Sequence, residues 1–216
     1  MDIYFIRHGE TDWNVQRKVQ GRSDIPLNDY GRELAYATKK GLEDEGVKFD
    51  KAFCSPLIRA VETAKILLED TDIEPIPDPR LIEIDFGEYE GFSIPLAKTD
   101  SKYAEFGKCF NDPANYHPKS GEDFEALYAR SRSFVNEVLI PLENKTSTVL
   151  VAAHGALIRG ILNVIEGLPV TDFWKKVQAN CSVNYLKLEN GSFTTVYESR
   201  LFYEPLHPYY NPEKKG

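Results

Sequence analysis

Ile3-Tyr4-Phe5-Ile6-Arg7-His8-Gly9 is an apolar run that ends on Arg-His-Gly, and Thr148-Val149-Leu150-Val151-Ala152-Ala153-His154-Gly155 repeats the arrangement far downstream. Strands that are apolar throughout are expected where helices cover both faces of a mostly parallel sheet. The chain has four histidines, and two of them close such runs. Each is followed by glycine, whose backbone turns freely. Ligands of open α/β sheets gather at the carboxyl ends of the strands. Two imidazoles and the Arg7 guanidinium delivered to that edge point to anion chemistry.

Outward from these two runs, strand-like and helix-like segments alternate. The spacing of Leu34, Thr38, Gly41 and Leu42 predicts a helix over 29–45, with Asn28 as N-cap and Gly46 as its stop. Residues 51–54 read as a short strand. Ser55-Pro56 then reads as the N-cap and first residue of a helix with Leu57, Val61, Ala64 and Leu68 on its apolar face, which puts Arg59 in its first turn. Residues 74–79 are proline-rich and extended. Residues 93–118 show no clear periodicity and read as an irregular cap insertion carrying Tyr103, Phe106, Phe110 and Tyr116. Ser120 and Asp123 form a capping-box-like pair. The helix after them is expected to bury Leu127, Ser131, Phe134, Val135, Val138 and Leu142. A helix over 156–166 ends at Gly167. Asn190-Gly191 between alternating runs at 183–188 and 193–197 signals a two-residue hairpin. The expectation is an α/β fold in three layers, α/β/α. It has a mostly parallel central sheet, one antiparallel hairpin near the C-terminus and an irregular cap over the sheet's C-terminal edge, all in a single domain over 1–216.

Composition narrows the function classes. A net charge of −8 and a pI near 5.1 argue against a nucleic-acid surface. They leave room for an anionic small molecule, because a local cluster of arginines can outweigh the global sign. Cys54, Cys109 and Cys181 are widely spaced, with no CxxC pair and no Cys/His cluster at metal-site spacing, so no metal is expected. So sparse and odd a count suits a reducing compartment. No apolar run approaches the ~18 residues of a membrane span. The first strand begins too early to leave room for a secretory leader. The sequence therefore reads as a cytoplasmic protein with no membrane or nucleic-acid partner and room for a small anionic ligand; a monomer or homodimer is expected.

A metal-free phosphoryl-transfer site needs a nucleophile, charge for the equatorial oxygens and an acid for the leaving oxygen. His8 can attack phosphorus if a backbone carbonyl holds its other nitrogen. Arg7 and Arg59 offer planar, permanently charged forks. His154 at a helix start would add a third charged donor. The acid should come from the stretch between Leu81 and Gly91. Glu83, flanked by Ile82 and Ile84, is the first choice and Asp85 the second; Glu88 and Glu90 read as solvated carboxylates.

These residues carry a resemblance. Arg7-His8-Gly9-Glu10-Thr11 with Trp13-Asn14, then Gln20-Gly21 and Asp24-Ile25-Pro26-Leu27, resembles the opening signature of the histidine phosphatase superfamily, in the branch containing the cofactor-dependent phosphoglycerate mutases. Ser55-Pro56-Leu57-Ile58-Arg59-Ala60 with Glu62-Thr63-Ala64 is similar to its second block, the stretch from Glu83 to Gly91 to its third, and Ala153-His154-Gly155 to its fourth. The resemblance runs from residue 3 to about residue 200. It implies a phosphohistidine mechanism with His8 as nucleophile and Glu83 as proton donor. Arg7, Arg59 and His154 would bind phosphate, and Asn14, Gln20 and Gly21 phosphate or substrate. No metal or cofactor is implied for hydrolysis. The pattern is closest to small phosphatases, including the α-ribazole and broad-specificity groups. Mutases usually carry a His-Tyr pair before the third-block glycine and a doubled arginine; here Asp85-Phe86 stands before Gly87 and no Arg-Arg pair occurs.

Three functions compete on this reading: a phosphatase for small phosphomonoesters, a mutase that returns the phosphoryl group to the same skeleton, and a phosphate-binding module without turnover. Blander readings stand beside several residues. Trp13, Cys54 and Cys181 read as packing, Glu10 and Thr11 as loop-shaping, His117 as solvent-facing, and His207 as part of an aromatic tail between Phe202 and Tyr210.

Overall fold

The computed structural model describes residues 1–175 and 178–204. Its centre is a six-stranded sheet. The strands are β1 (Asp2–Arg7), β2 (Lys51–Cys54), β3 (Ile76–Pro77), β4 (Thr148–Ala153), β5 (Val183–Glu189) and β6 (Ser192–Arg200). They lie in the order β3-β2-β4-β1-β5-β6. β1 to β4 run parallel, while β5 runs antiparallel to both β1 and β6. Because β1 and β4 pair in register up to Arg7 and Ala153, His8 and His154 leave the sheet side by side at its carboxyl edge.

The helices are α1 (Asp12–Val15), α2 (Asp29–Asp44), α3 (Ile58–Leu67), α4 (Ile94–Thr99), α5 (Ala104–Asn111), α6 (Phe124–Phe134), α7 (Ile140–Leu142) and α8 (Gly155–Glu166). Alternation along β1 assigns the longer ones to two layers. Ile3 and Phe5 belong to a core with Leu127 and Phe134 of α6 and Leu157 and Ile161 of α8. Tyr4 and Ile6 belong to another, with Leu42 of α2 and Leu67 of α3. Successive strand side chains point to opposite faces, so a strand covered on both must be apolar at every inner position, as β1 and β4 are. The three-layer expectation holds.

Asn28 caps α2 by accepting from Gly31 N–H, and Gly167 ends α8 in the left-handed region with φ of 68°. Asn190 and Gly191 have φ of 53° and 73°, as a two-residue hairpin turn requires.

Several local expectations are overturned. Residues 93–118 are not irregular but largely helical, in α4, α5 and short 3₁₀ turns. Phe106 anchors this segment. It is fully buried, stacks on Tyr89 with ring centres 4.3 Å apart, and makes edge contacts with Phe86, Phe110 and Tyr116. Ser55 does not cap α3. The N-cap position falls on Leu57, and the Asp24 carboxylate accepts from Ile58 N–H instead. Asp123 alone caps α6, while Ser120 Oγ accepts from Glu88 N–H. Beyond Phe134 the helix passes through one π turn (Val135–Leu139) into α7; Leu139 is fully buried there, and Val138 and Leu142 only partly so.

Cys54, Cys109 and Cys181 are buried free thiols. The Phe202 ring lies against Gly41 of α2, and the Tyr203 hydroxyl donates to the Asn180 carbonyl. His117 is exposed, as expected. His207 and the rest of the tail from residue 205 lie outside the described residues. Among the described residues no helix is long and apolar enough to cross a membrane.

Candidate active site

Arg7, His8, Asn14, Gln20, Gly21, Arg59 and Glu83 line one cavity of about 410 Å³ at the carboxyl edge of the sheet. Ile94 and Lys98 of α4, Phe110 of α5 and Trp174 also line it. Such a volume suits a small organic ligand rather than a lone ion. His154 is not among the lining residues. It stands beside His8, with ring centres 5.2 Å apart.

His8 is fixed by its neighbours. Its Nδ1 lies 2.6 Å from the Gly9 carbonyl oxygen. A carbonyl only accepts, so Nδ1 carries the proton and Nε2 keeps its lone pair. Burial, then the charges of Arg59 and Arg7, holds the imidazole well below its ordinary pKa of 6.5. The ring is therefore neutral at physiological pH, the form a nucleophile requires. Gly9 is needed for a reason other than turning. Its φ is not positive, but a Cβ there would fall well inside contact distance of the Gly31 carbonyl. The Asn180 amide donates to the carbonyls of His8 and Gly9, at 3.0 Å each.

Arg59 is fully buried, and burial pushes its pKa down to about 10, against the pull of Glu83 and Asp24. It remains a cation at neutral pH. Its Nη1 and Nη2 donate to the Ser23 and Gly21 carbonyls, both at 2.7 Å, and its Nε has no partner among the described residues. Arg7 repeats the pattern: Nη1 donates to the Gln178 carbonyl at 2.6 Å and Nε is unpartnered among the described residues. Each guanidinium is thus locked by carbonyls while keeping donor capacity. Both guanidinium groups line the cavity as fixed positive charges, a setting that favours an anion there.

Asn14 and Gln20 show the same logic in neutral form. Asn14 Oδ1 accepts from Thr11 N–H and from Asn180 Nδ2, and Gln20 Oε1 accepts from the Thr11 hydroxyl at 2.9 Å. With both amide oxygens engaged by the protein, the NH₂ groups are the ends left for a ligand. Thr11 therefore does more than shape the loop: it caps α1 in a capping box with Asn14 and orients Gln20.

Glu83 supplies the carboxylate of the cavity. Its Oε1 accepts from Leu157 N–H at 2.9 Å and Ile84 N–H at 3.0 Å, and its Oε2 from Ala156 N–H at 3.1 Å. The group is seated on the N-terminus of α8, where the first N–H groups have no intrahelical acceptor. Asp85, the second choice for the acid, does not line the cavity. It accepts from Gly87 N–H and lies 3.5 Å from Arg22 Nη1. Glu90, expected in solvent, instead accepts from Arg22 and Ser23 N–H, both at 2.7 Å, and so holds the loop that follows Gly21.

His154, expected from the sequence as a third charged donor, is fully buried. Burial, then Arg59, His8 and Arg7, drives its pKa well below 6.5, so the ring is neutral. Its Nε2 lies 2.7 Å from Ser55 Oγ, and its Nδ1 is buried without a partner among the described residues. Sequence reasoning missed Ser55 as the partner of this histidine, Asn180 as the clamp on the His8 loop, and Gln178, whose main-chain carbonyl holds Arg7. A contribution made through a carbonyl leaves no side-chain signal to read. Among the described residues no three His, Cys, Asp or Glu side chains are gathered as a metal site.

The family model described as histidine phosphatase superfamily (branch 1) matches residues 3–199. The chain is 30% identical over 191 residues to a probable phosphoglycerate mutase, GpmB, of Proteus mirabilis (strain HI4320), covering 88% of this chain and 86% of that one. It is 36% identical over 165 residues to an uncharacterized phosphatase, PhoE, of Bacillus subtilis (strain 168), covering 76% and 77% respectively. The solved structure of YhfR from Bacillus stearothermophilus is similar at a TM-score of 0.84 and 30% identity, over 93% of this chain and 97% of that one.

Proposed function

The chain belongs to branch 1 of the histidine phosphatase superfamily, and from that premise we propose that it is a metal-independent phosphatase hydrolysing small phosphomonoesters through a covalent phosphohistidine on His8. The observation that carries the reading is the neutral His8 ring, its Nδ1 proton tied to the Gly9 carbonyl, in a cavity shared with the Arg7 and Arg59 guanidinium groups.

In the first step the His8 Nε2 lone pair forms an N–P bond as the bond between phosphorus and the alcohol oxygen breaks. Glu83, in its protonated form, gives a proton to that leaving oxygen. Arg7, Arg59, Asn14 and Gln20 hold the equatorial oxygens, while His154, its Nε2 held by Ser55, stands behind His8 outside the cavity lining. In the second step water attacks phosphorus and loses its proton to the Glu83 carboxylate, the N–P bond breaks, and inorganic phosphate leaves. Donors fixed in advance where charge gathers are usually the largest single contribution to such a rate.

The mutase reading has one observation in its favour, the similarity to the Proteus GpmB protein. It is weakened by Asp85-Phe86 before Gly87 and by the lack of an Arg-Arg pair. Product analysis separates the two: free phosphate for a phosphatase, isomerised phosphoglycerate for a mutase. The deciding experiment quenches the enzyme during turnover of a radiolabelled phosphomonoester. Acid-labile label on His8, absent from His8→Ala, with activity indifferent to EDTA, is expected. Turnover by His8→Ala at the parent rate refutes the assignment.

A further inference from the structure

We propose that the substrate of this cavity carries a second anionic group besides the phosphate to be removed, and that Lys18 and Lys98 select for it. The inference rests on the phosphomonoesterase reading and narrows its substrate class.

The charge balance of the cavity points this way. In a chain of net charge −8, the described lining residues include six cations, Arg7, Arg17, Lys18, Arg59, Lys98 and Arg159, and one carboxylate, Glu83. Arg7 and Arg59 share the cavity with the nucleophile. Arg159 is already balanced, with Glu198 at 3.1 Å and Glu166 at 4.0 Å. Arg17 has a partner of its own. The phosphate site therefore leaves Lys18 and Lys98 over.

These two come from segments that are fastened together. Lys18 follows α1, and Lys98 is on α4. Ile94 N–H donates to the Arg17 carbonyl at 2.9 Å, and Lys18 bridges to Ser93 through the backbone. The backbone just before Lys18 is held at φ of 54° at Arg17, in the left-handed region that non-glycine residues rarely occupy outside special sites.

Lys18 and Lys98 are set apart from the other described lysines by lining the cavity; Lys51 and Lys102 also stand over rings without a carboxylate partner among the described residues but do not line it. Lys39, Lys40, Lys108 and Lys175 all pair with a carboxylate at salt-bridge distance. Lys18 and Lys98 have no carboxylate partner among the described residues. Their ammonium groups stand over aromatic rings instead, Lys18 5.7 Å from the centre of Trp13 and Lys98 5.0 Å from that of Phe110. Phe110 itself lines the cavity, with Phe86, Ile94 and Trp174. A cation over a ring keeps its charge available to a further anion, and unpaired charges around a low-dielectric cleft concentrate ligands of opposite sign. A ligand that matches this lining has phosphate at His8, a partly apolar body along the aromatic wall, and a carboxylate or second phosphate reaching Lys18 and Lys98.

The test compares phosphate release from skeleton-matched pairs by the full-length protein. Glycerol 3-phosphate against 3-phosphoglycerate adds a carboxylate; fructose 6-phosphate against fructose 1,6-bisphosphate adds a phosphate. We expect a higher kcat/KM for the doubly anionic member of at least one pair, carried mainly by KM and weakened by added salt. The pair that shows it identifies the anion. In the Lys18→Gln/Lys98→Gln protein that preference should fall by roughly tenfold, as two partly exposed charges allow. Equal kcat/KM within both pairs, or a preference untouched by the double substitution, overturns the inference. If no substrate, p-nitrophenyl phosphate included, yields phosphate, the hydrolase reading fails by itself. The same four ligands titrated calorimetrically into His8→Ala, with and without the two lysine substitutions, then decide the inference. Tighter, lysine-dependent binding of a doubly anionic member sustains it, and equal affinities overturn it.

Discussion

Acidification should destabilise this protein through two buried imidazoles before its carboxylates begin to titrate. His8 and His154 both lie well below the ordinary value of 6.5 in the folded chain, chiefly through burial. The unfolded chain binds a proton at each near that ordinary value, while the folded chain does not. Stability is therefore highest above about pH 6.5 and falls with pH, down to the folded-state values, because the unfolded state takes up the protons. Each histidine contributes on the order of 1 kcal/mol of stability that is present above about pH 6.5 and lost as the pH falls below it. The pair should remove on the order of 2–3 kcal/mol between about pH 7.5 and about pH 5.5, or roughly 5–10 °C of Tm for a chain of this size. Urea unfolding of the parent, His8→Gln and His154→Gln at several pH values is the assay. Each single substitution should shrink the loss by on the order of 1 kcal/mol, and the difference between curves cancels whatever other groups contribute. Parallel curves for all three proteins would refute the neutral-imidazole picture, and with it the nucleophilic form of His8.

The other expectations are separate from one another. Glu83→Gln keeps the side chain's size but removes its proton, so kcat on an alkyl phosphate should fall by roughly 10²–10⁴; a loss below about threefold takes proton transfer away from this residue. Phe106→Ala opens the centre of the aromatic cluster under the cap and should cost about 3–5 kcal/mol in urea unfolding. Gly9→Ala sets a methyl group against the Gly31 carbonyl and should cost about 1–3 kcal/mol while also lowering activity. Parent-like stability for Gly9→Ala would mean that the two loops can part without strain.

The fold is legible in the sequence where burial is uniform. β4 matches its expected limits because every inner position faces a helix layer, and α2 differs from expectation by one residue at its end. The cap is not legible. α4 has 6 residues and α5 has 8, too short for a 3.6-residue period to show, and Pro95 and Gly107 sit inside them. In the site, Arg7, His8, Asn14, Gln20, Gly21, Arg59 and Glu83 do converge on one cavity. His154 is near but its proton is disfavoured, chiefly by burial and then by the same arginines that would recruit an anion. Ser55 reads as a helix cap because Ser-Pro ordinarily marks one, yet in the fold a tertiary partner takes its hydroxyl. Asn180 precedes β5 with nothing local to distinguish it; its amide matters only because β5 runs alongside β1.

β1 lies between β4 and β5 in the sheet, so both of its neighbours are made much later during translation. Asp2 pairs with Thr148 and with Lys187. At ordinary ribosomal speeds the first partner follows on the order of 10 s later. For that time the nascent strand is an unprotected apolar segment of the kind that chaperones shield. A fragment ending before Gln178 would contain His8, Arg59, Glu83 and His154 and still lack the carbonyl that steadies Arg7 and the amide that steadies the nucleophile's loop. On the proposed function, catalytic competence should thus arrive only once the residues around β5 have joined β1.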